Sequence, residues 1–540
     1  MDHKAELYPQ PSSRLSTAPT KSVSSYTRGK LSAMRPMPVI PVVPALPVYR
    51  TDEIRRIEAL TLSSLEPPNL TERAGIAAAE LARVLITNKG ASVLVLAGPG
   101  NNGGDGFVLA RQLKQWWHRV NVVFTGERAK LSKEAGEAFD AWQAAGGETL
   151  TGLAHGSLQS AGLIVDGLFG IGLERDLTGP YADLVTATNG SGTPVLALDI
   201  PSGLHADSGR VLGCAVRAQH TITFIALKPG LLTLDGPDQC GELHVRGLGL
   251  DLEQLLSPEG WVIGSSVLAG VLPRRPLNSH KGTFGNVGIL GGAAGMTGAA
   301  LLSGRAALKL GAGRVYVGFL DSKSPSLDAS QPELMLRQAE EVLAMDSLSC
   351  LVLGPGLSQS SAARRCVEQA LGLNIPLVVD ADALNLIASD RKLHTACQMR
   401  GAPTVITPHP AEAARLSGQP VASVQSDRVG AAVALAQYYQ AITVLKGVGT
   451  IVALPDGSFE INTSGNPGMA SAGMGDVLSG IVGALIAQGA DPMFATSAGV
   501  HLHGVAADQL YQRIGGPIGM TASEVVDSAR EVLNAAIHTT

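Results

Sequence analysis

The chain has 540 residues, of which 16% are charged, and a formal net charge of −5 at pH 7. This length exceeds what one hydrophobic core supports, so two or three domains are expected, and the charge gives no basis for nucleic-acid binding, which needs a clustered basic face. The five cysteines show neither a CxxC pair nor a zinc-ligand spacing, which argues against a disulfide framework or a structural zinc and predicts a cytoplasmic location. No apolar run of ~20 residues occurs, so no transmembrane helix is expected.

The first 48 residues differ in composition from the rest. Between Leu7 and Thr51 there is no acidic residue, Ser and Thr are frequent, and PMPVIPVVPALP is incompatible with a helix interior. We predict a disordered Ser/Pro-rich tail over 1–48, or a start codon placed too far upstream, with Met34 or Met37 as the true start. An organellar transit peptide is the alternative, since such peptides are also acid-poor and Ser-rich.

From Thr51 onward, helices alternate with short aliphatic strands. The first helices are DEIRRIEALTL and TERAGIAAAELARVL, with apolar residues at helical spacing. Strands are predicted in SVLVLAG, VNVVFTG, GLIVDGLFG, PVLALDIPSG and HTITFIAL, then in NVGILGG, RVYVGFL, CLVLGPG, PLVVDADAL, PTVITPHP and ITVLKGVGTIVAL. This alternation predicts an α/β fold with mostly parallel sheets covered on both faces. The Pro-, Ser- and Gly-containing stretch 251–275 is predicted to link domains at 49–250 and 276–540.

The segment VLVLAGPGNNGGDGFVLARQL combines a strand, a glycine turn and a helix. Glycines allow close approach of the backbone to a ligand, and N–H groups at a helix start favour an anion. The side-chain oxygens of Asn101, Asn102 and Asp105 indicate that a cation or a polar ring is also held. A purely structural turn is the alternative.

Three further motifs follow later strands. VDGLFGIGLERDLTG places Asp166 at a strand end before a second glycine loop, LALDIPSGL places Asp199 and Ser202 at another, and LKPGL supplies Lys228. Ligands bind at the carboxyl ends of strands in open α/β sheets. Any one of these residues is explained equally well as a helix cap or turn former. Four such motifs at the ends of successive strands are harder to explain in that way.

GNNGGDGFVLAR, DGLFGIGL, DIPSGL and the downstream Lys-Pro-Gly resemble the NAD(P)H-hydrate epimerase family, also called the YjeF N-terminal domain, over about 49–249. The resemblance implies a Rossmann-like domain that interconverts the R and S forms of hydrated NAD(P)H. The substrate-binding residues that it implies are Asn101, Asn102, Gly103, Gly104, Asp105, Gly170, Ile171, Gly172, Leu173, Glu174, Arg175, Asp176 and Asp199.

The same resemblance implies a potassium ion held by Asn102, Asp166 and Ser202. Oxygen ligands from these residue types suit a hard cation on chemical grounds as well. Asp199 and Lys228 are the candidates for proton transfer in the epimerase domain.

The C-terminal half contains GNPGMASAGMGDVLSGIVGALIAQG, a glycine loop that leads into an apolar helix with Asp476 near its first turn. Backbone N–H groups there can hold phosphate oxygens, while the carboxylate takes a proton from a hydroxyl. The alternative is a helix N-cap Asp after a flexible loop. KGVGT is a second candidate nucleotide contact or an ordinary turn, and His409 in TPHPAE is a ligand contact or a structural histidine.

GMTGA, LGPGL, VDADALN, TPHPAE, KGVGT and GMGDVLSG together resemble the NAD(P)H-hydrate dehydratase family, of ribokinase-like fold, from about Pro276 to the C-terminus. The implied contacts with the hydrated dinucleotide are Ala299, Gly356, His409 and Asp476. The implied contacts with ADP are Lys446, Gly447, Val448, Gly449, Thr450 and Gly475. In one departure, Met474 stands where Thr is commoner; if that hydroxyl normally contacts phosphate, nucleotide affinity is lowered.

The two resemblances imply an enzyme that repairs NAD(P)H after water has added to its nicotinamide ring. One domain would equilibrate the epimers, and the other would dehydrate the S form with ADP and Mg²⁺ as co-substrate. Small-molecule substrates, no nucleic acid, no membrane and a homo-oligomer are expected. The alternatives are a ribokinase-like small-molecule kinase fused to a YjeF-like binding module, or a scaffold protein. The epimerase-like half argues against the first, and retention of Asn102, Asp166, Asp199 and Ser202 argues against the second.

Overall fold

The computed structural model describes residues 45–88, 90–154, 156–321 and 323–538. Residues 1–44 of the predicted tail, and with them the question of the true start, lie outside the described residues. The described strands, in chain order, are β1 (Leu46–Val48), β2 (Ser92–Ala97), β3 (Val120–Phe124), β4 (Thr149–Leu150), β5 (Ala161–Gly167), β6 (Val195–Leu198), β7 (His220–Phe224), β8 (Glu242–Arg246), β9 (Gly260–Val262), β10 (Asn286–Gly291), β11 (Arg314–Phe319), β12 (Met335–Gln338), β13 (Cys350–Leu353), β14 (Leu377–Val379), β15 (Thr404–Ile406), β16 (Ile442–Leu445), β17 (Thr450–Ala453) and β18 (Phe459–Asn462).

Helices separate most of these strands. In chain order the described helices are α1 (Thr51–Leu62), α2 (Leu70–Leu85), α3 (Asn101–Gln115), α4 (Lys133–Ala144), α5 (Ser157–Ser160), α6 (Pro180–Asn189), α7 (Gly236–Cys240), α8 (Leu252–Leu255), α9 (Ser266–Gly270), α10 (Thr297–Lys309), α11 (Ala339–Leu343), α12 (Ser361–Leu371), α13 (Ala381–Ser389), α14 (Arg391–Gln398), α15 (Pro410–Ser417), α16 (Val421–Ser426), α17 (Arg428–Tyr439), α18 (Met474–Ala487), α19 (Pro492–Ile514) and α20 (Ala522–His538). In the part of the chain that the structure describes, no helix is both long and apolar enough to cross a bilayer.

The first sheet has the strand order β4-β3-β2-β5-β6-β7-β8, with parallel pairing throughout. If β2 is numbered 1 and the later strands are numbered in chain order, the sheet order begins 3-2-1-4-5-6. This is the strand order of a Rossmann fold. Strand β2 shows why its sequence is continuously aliphatic. Val93 and Val95 pack in the core on one face of the sheet, and Leu94 and Leu96 pack in the core on the other. The prediction of a Rossmann-like first domain is confirmed.

The second sheet has the order β1-β9-β18-β17-β16-β15-β14-β13-β10-β11-β12. Its pairs from β16 to β12 are parallel, whereas β16, β17 and β18 pair antiparallel with one another. Helices α10, α18, α19 and α20 contribute to one core of this half, and α12 to α17 contribute to the other. This architecture confirms the predicted α/β class of the second domain, with a mostly parallel sheet.

Two predicted boundaries are corrected by the pairing of short strands. Leu46–Val48, placed in the disordered tail, forms β1, which pairs antiparallel with β9. Gly260–Val262, placed in the linker, forms β9 itself, which pairs with β18. The reason is burial: Val262, Val267 and Leu268 belong to the cores of the second half. The stretch 251–275 therefore contributes structure to the C-terminal half, although its Pro, Ser and Gly content suggested a linker.

Candidate active sites

In the first half, the loop after β2 leads directly into α3, so the predicted glycine motif forms a helix start. Gly100 caps the helix and Asn101 is its first residue. Close packing requires the glycines: a Cβ on Gly103 would lie 2.0 Å from the carbonyl oxygen of Gly98, and one on Gly98 would lie 1.7 Å from that of Leu168. The loops after β2 and β5 therefore touch. This contact puts the start of α3, with its backbone N–H donors, at the switch point of the sheet.

The other members of this motif differ in exposure. Asn101 is exposed and accepts a hydrogen bond from Ser132 Oγ (2.6 Å). Gly104 is buried, and a Cβ there would lie 3.0 Å from the Ala135 Cα. Asp105 is also buried on α3. Asn101 is thus the member of these three that is most open to solvent.

Asn102 lies at the start of α3, Asp166 near the end of β5 and Ser202 in the loop after β6, and all three are buried. Asp166 Oδ1 accepts a hydrogen bond from Ser202 Oγ (2.6 Å), and its Oδ2 accepts one from the Ser202 N–H (2.8 Å). The Asn102 amide nitrogen donates to the Leu198 carbonyl (3.1 Å), while its Oδ1 is buried and has no hydrogen-bond partner among the described residues. Burial raises the pKa of Asp166 to about 6. The group has oxygen donors and one unsatisfied oxygen, which fits a hard cation.

Asp199 and Lys228 form a buried ion pair beside this group. Lys228 Nζ donates to Asp199 Oδ1 (2.5 Å), to Thr223 Oγ1 (2.9 Å) and to the Phe224 carbonyl (2.8 Å). Lys228 is 1% exposed. Asp199 has a φ of +63°, a conformation that non-glycine residues rarely adopt and that is concentrated at functional sites. The structure thus brings together the two residues predicted to transfer protons.

The carboxyl groups of Glu58 and Asp105 also contribute to the electrostatic field at the Asp199–Lys228 pair. Burial and the carboxylate of Asp199 raise the pKa of Glu58, on α1. Burial, Asp199 and Glu58 raise the pKa of Asp105 well above its usual value. Sequence reasoning missed Glu58, because α1 gave only an amphipathic-helix signal. Perturbed carboxyl pKa values grouped around a lysine are typical of a catalytic site.

The predicted loop 170–176 borders the same site at its first residue. A Cβ on Gly170 would lie 3.4 Å from Asp199 Oδ2 and 3.5 Å from the Asn102 Cβ. Further along, Leu173 is buried. Ile171 is partly buried, and the remaining predicted residues, which point toward solvent, are Gly172, Glu174, Arg175 and Asp176. The loop therefore has one end at the acid–lysine pair, is anchored by Leu173, and is otherwise mostly exposed.

In the second half, a cavity of about 470 Å³ lies at the carboxyl ends of the parallel strands. It is lined by residues that follow β10, β13, β14 and β15 and by the start of α18, namely Gly295, Met296, Gly298, Ala299, Leu302, Gly356, Ala381, Asp382, Asn385, Glu412, Ala472, Gly473 and Asp476. Three of the four residues predicted to contact the dinucleotide, Ala299, Gly356 and Asp476, are among them. Strands β10 and β13 are neighbours from which the sheet extends in opposite directions, so the cavity lies at a switch point.

Asp476 lies in the first turn of α18, after Gly473 in the left-handed conformation (φ +87°). Burial and, next, the carboxylate of Asp380 raise the pKa of Asp476 to about 6, and Lys446 opposes this shift. Lys446 Nζ donates to Asp380 Oδ1 (2.8 Å) and lies 3.9 Å from a Glu412 oxygen. Burial lowers the pKa of Lys446, but Asp380 and Glu412 outweigh burial and raise it. Sequence reasoning did not single out Asp380 or Glu412, although both belong to motifs that it quoted, VDADALN and TPHPAE.

His409 begins α15, where its ring is used as a helix cap. Its Nδ1 accepts hydrogen bonds from the N–H groups of Ala411 (3.1 Å) and Glu412 (3.4 Å), and Glu412 in turn accepts from the His409 N–H (2.8 Å). His409 is not among the residues that line the cavity. Its contact with the dinucleotide remains a prediction, whereas its capping of α15 is observed.

Met474 is 6% exposed and packs in the core of the second half. Its side chain does not line the cavity. Gly475, the next residue, lies close to Lys446, since a Cβ there would be 3.3 Å from Lys446 Nζ. Lowered nucleotide affinity from the missing hydroxyl at Met474 remains untested.

The loop Lys446–Thr450 is held in place by the first half of the chain. Thr233 Oγ1 donates to the Val448 carbonyl (2.9 Å) and accepts from Arg428 Nε (2.9 Å). Gly449 has a φ of +61°, and a Cβ there would lie 2.2 Å from the Leu232 carbonyl oxygen. Gly447 has a φ of +138°. Thr233 is five positions from Lys228, so one short segment contacts both candidate sites.

Comparison with known proteins agrees with this two-site geometry. The family described as NAD(P)H-hydrate dehydratase matches residues 287–530, and the family described as YjeF-related protein N-terminus matches residues 68–230. The bifunctional NAD(P)H-hydrate repair enzyme Nnr of Escherichia coli (strain K12) is 40% identical over 90% of this chain and 94% of its own length. The enzyme of the same name from Coxiella burnetii is 38% identical over 90% of this chain and 99% of its own length. Among solved structures, this chain is similar to the ADP/ATP-dependent NAD(P)H-hydrate dehydratase of Bacillus subtilis, co-crystallized with ATP/Mg²⁺. The two sequences are 30% identical, and the match covers 50% of this chain and 96% of the Bacillus chain with a TM-score of 0.43.

Proposed function

The chain belongs to the bifunctional NAD(P)H-hydrate repair enzymes, and on that premise we propose how its two halves divide the repair. The first half interconverts the R and S forms of hydrated NAD(P)H, and the second dehydrates the S form with ADP. The observation that carries this division is that each half places its own acid and lysine cluster just after the carboxyl ends of parallel strands in its own sheet. A small-molecule kinase fused to a binding module would not require the buried Asp199–Lys228 pair in the first half.

In the first half, Lys228 and Asp199 hold and move the proton that epimerisation requires. Their short hydrogen bond and the burial of Lys228 keep water from competing for that proton. Loop 170–176 and the start of α3 bind the dinucleotide beside them. A potassium ion held by Asn102, Asp166 and Ser202 would supply positive charge against these carboxylates and the substrate phosphates.

In the second half, Asp476 accepts the proton of the substrate hydroxyl while a phosphoryl group passes to that hydroxyl from ADP. Hydroxide is a poor leaving group and phosphate a better one. The phosphoryl transfer releases AMP, and loss of phosphate together with a proton from the neighbouring ring carbon, which passes to water, then restores the nicotinamide double bond. Lys446 and the N–H groups at the start of α18 bind the nucleotide phosphates. The carboxylates of Asp382 and Glu412 line the cavity and are hard oxygen donors, which fit the Mg²⁺ that accompanies ADP.

The direct test uses purified protein with a mixture of hydrated NADH epimers, ADP and Mg²⁺. We expect reduced-nicotinamide absorbance to return for both epimers, and for the S form alone when Lys228 is replaced. Return of absorbance without ADP, or consumption of ADP with no return, would contradict the proposal. The five unpaired thiols support a cytoplasmic location, and self-association into a homo-oligomer remains a prediction.

The raised pKa of Asp476 predicts the pH dependence of dehydration. The base must be ionised, so kcat should be constant above pH ~7 and fall as the pH drops through about 6, by roughly tenfold per unit below that. The measurement is kcat for the S epimer at saturating ADP. Because Lys446 lowers the pKa of Asp476, Lys446→Met should move the midpoint to higher pH. A midpoint that stays fixed in that variant would argue against Asp476 as the titrating group.

Replacing Asp166 by Ala should weaken epimerisation and its dependence on potassium, because Asp166 organises both Ser202 and the predicted ion site. Dehydration of the S form should be unaffected, since its candidate residues all lie in the other half. Epimer exchange is followed by chromatography across a potassium series at constant ionic strength. Asp183→Ala, which removes an exposed carboxylate from α6, is the control. Equal loss of both activities would show that the role of Asp166 is structural.

Thr233→Val should raise the KM for ADP in the second half, although Thr233 belongs to the first. The change leaves Arg428 Nε without this hydrogen-bond partner, and the Val448 carbonyl keeps only the Leu234 N–H (3.3 Å). An unsatisfied buried group costs about 1–3 kcal/mol, enough for roughly a tenfold rise in KM. The rise should appear with little change in kcat. Thr186→Val, on the exposed face of α6, should leave the KM unchanged. An unaltered KM in Thr233→Val would mean that this contact does not shape the nucleotide loop.

A further inference from the structure

Three side chains that the repair chemistry does not use lie together at the edge of the first sheet. His220 begins β7, Glu242 begins β8, and His244 lies two residues further along β8. His220 is the Cα partner of Glu242 in the parallel ladder, so all three side chains lie on the same face of the sheet. The two histidines are 24 residues apart in sequence, and only the pairing of β7 with β8 brings them together.

The three groups converge on one point. His220 Nδ1 is 3.2 Å from His244 Nε2. One Glu242 carboxylate oxygen is 3.8 Å from His220 Nδ1, and the other is 3.8 Å from His244 Nε2. One ligand atom from each of the three lies within 4.8 Å of the other two. The side chains of His220 and Glu242 are 25% exposed and that of His244 is 8% exposed, so the group is sheltered but open to solvent on one side.

The separation of the two histidine nitrogens matches the ligand spacing of a tetrahedral metal site. Nitrogen and oxygen ligands at about 2.0–2.2 Å from Zn²⁺ and at tetrahedral angles are separated by about 3.3–3.5 Å. The nitrogen–nitrogen distance of 3.2 Å already agrees with this spacing. The two nitrogen–oxygen distances of 3.8 Å involve different oxygens of the Glu242 carboxylate. The Glu242 side chain must therefore turn to bring one oxygen, or both as a bidentate ligand, to an ion held by the two imidazoles.

We propose that His220, Glu242 and His244 bind a divalent transition-metal ion, Zn²⁺, with water as the fourth ligand. Two imidazoles and one carboxylate select this class over Mg²⁺ or Ca²⁺, which prefer oxygen ligands alone. The site lies at the start of β7 and β8, whereas the acid–lysine pair follows the other end of β7, roughly 13 Å along a five-residue strand. The ion therefore joins the edge strand β8 to β7. An edge strand has unpaired backbone groups, and holding it in place protects the sheet against pairing with another chain.

The test uses the full chain, stripped with a chelator and then dialysed against buffered Zn²⁺, with metal per chain measured by mass spectrometry. The wild-type protein should bind one more ion per chain than Glu242→Gln, or bind it more than about tenfold more tightly. Zn²⁺ should raise the Tm of the wild type and not that of the variant. Co²⁺ in the same site should give the intense visible absorption of tetrahedral coordination, and epimerisation should proceed at the same rate with and without the metal.

Glu242→Gln preserves the shape of a partly exposed side chain, so it is the primary variant, and His244→Ala is the second. His118→Ala, which removes a histidine near the start of β3, should bind the metal like the wild type. Equal stoichiometry and affinity in the wild type and Glu242→Gln would overturn the proposal and indicate an adventitious ion only. So would a Co²⁺ spectrum that is the same in both proteins.

Discussion

Asp476→Asn is expected to lower the return of NAD(P)H from the S epimer by ~10²- to 10⁴-fold, the usual cost of losing a general base. The change keeps the shape of the side chain at the first turn of α18 and removes only its capacity to accept a proton. Phosphate binding by the backbone N–H groups should persist, so the KM for ADP should change little. The measurement is kcat under single-turnover and steady-state conditions.

The same substitution should make the protein more stable at neutral pH. The pKa of Asp476 in the folded protein is about 6, above its ordinary value of 3.8, so the folded state binds the proton more tightly than the unfolded state. The carboxyl group therefore favours folding below pH ~4, and this contribution is lost as the pH rises through about 6. At pH 7 the ionised group costs up to about 3 kcal/mol, which Asn avoids.

A lower kcat combined with a higher Tm distinguishes a catalytic role from a structural one. Asp346→Asn, at an exposed position before β13, is the control and should change neither quantity. Loss of activity accompanied by a lower Tm would mean that Asp476 supports the fold. Recovery at nearly the wild-type rate would remove Asp476 from the mechanism.

The sequence predicts the central strands well, and it places several motifs at neighbouring strand ends, for one physical reason. Strands of a parallel sheet are buried on both faces, so β2, β5 and β10 are short aliphatic runs, and the motifs follow them directly. A topological rule then places these motifs together at the carboxyl edge. For Asp166 and Ser202, which share two hydrogen bonds, position at a strand end was enough to predict the contact.

Contacts set by distant pairing could not be predicted in this way. Strands β1 and β9 have three residues each, too few for a periodic pattern, and β9 pairs with β18, which lies far later in the chain. Glu58 lies on an amphipathic helix, and only the packing of that helix brings its carboxyl group near Asp199. Thr233 carries no motif, yet it donates a hydrogen bond to the loop 446–450 of the other half.

Lys228→Met is expected to have the largest effect on the first half, on both stability and activity. Methionine has a similar length but no charge, so Asp199 would keep a mostly buried carboxylate without its ion partner. Breaking such a pair from one side costs about 3–5 kcal/mol. Epimer exchange should fall by ~10²- to 10⁴-fold because a proton-transfer group is lost. Dehydration of the S epimer should continue wherever the protein remains folded.

A double variant separates these two effects. Lys228→Met combined with Asp199→Asn removes both charges, so it should regain much of the Tm lost in the single variant. It should not regain epimer exchange, because neither member of the proton-transfer pair is restored. Lys114→Met, near the exposed end of α3, is the control for the loss of a lysine and should behave like the wild type. If exchange returned together with the Tm in the double variant, Lys228 and Asp199 would serve only to hold β7 against the loop after β6, and the proton would have to move through another group, with Glu58 and Asp105 the nearest carboxyls whose pKa values are raised.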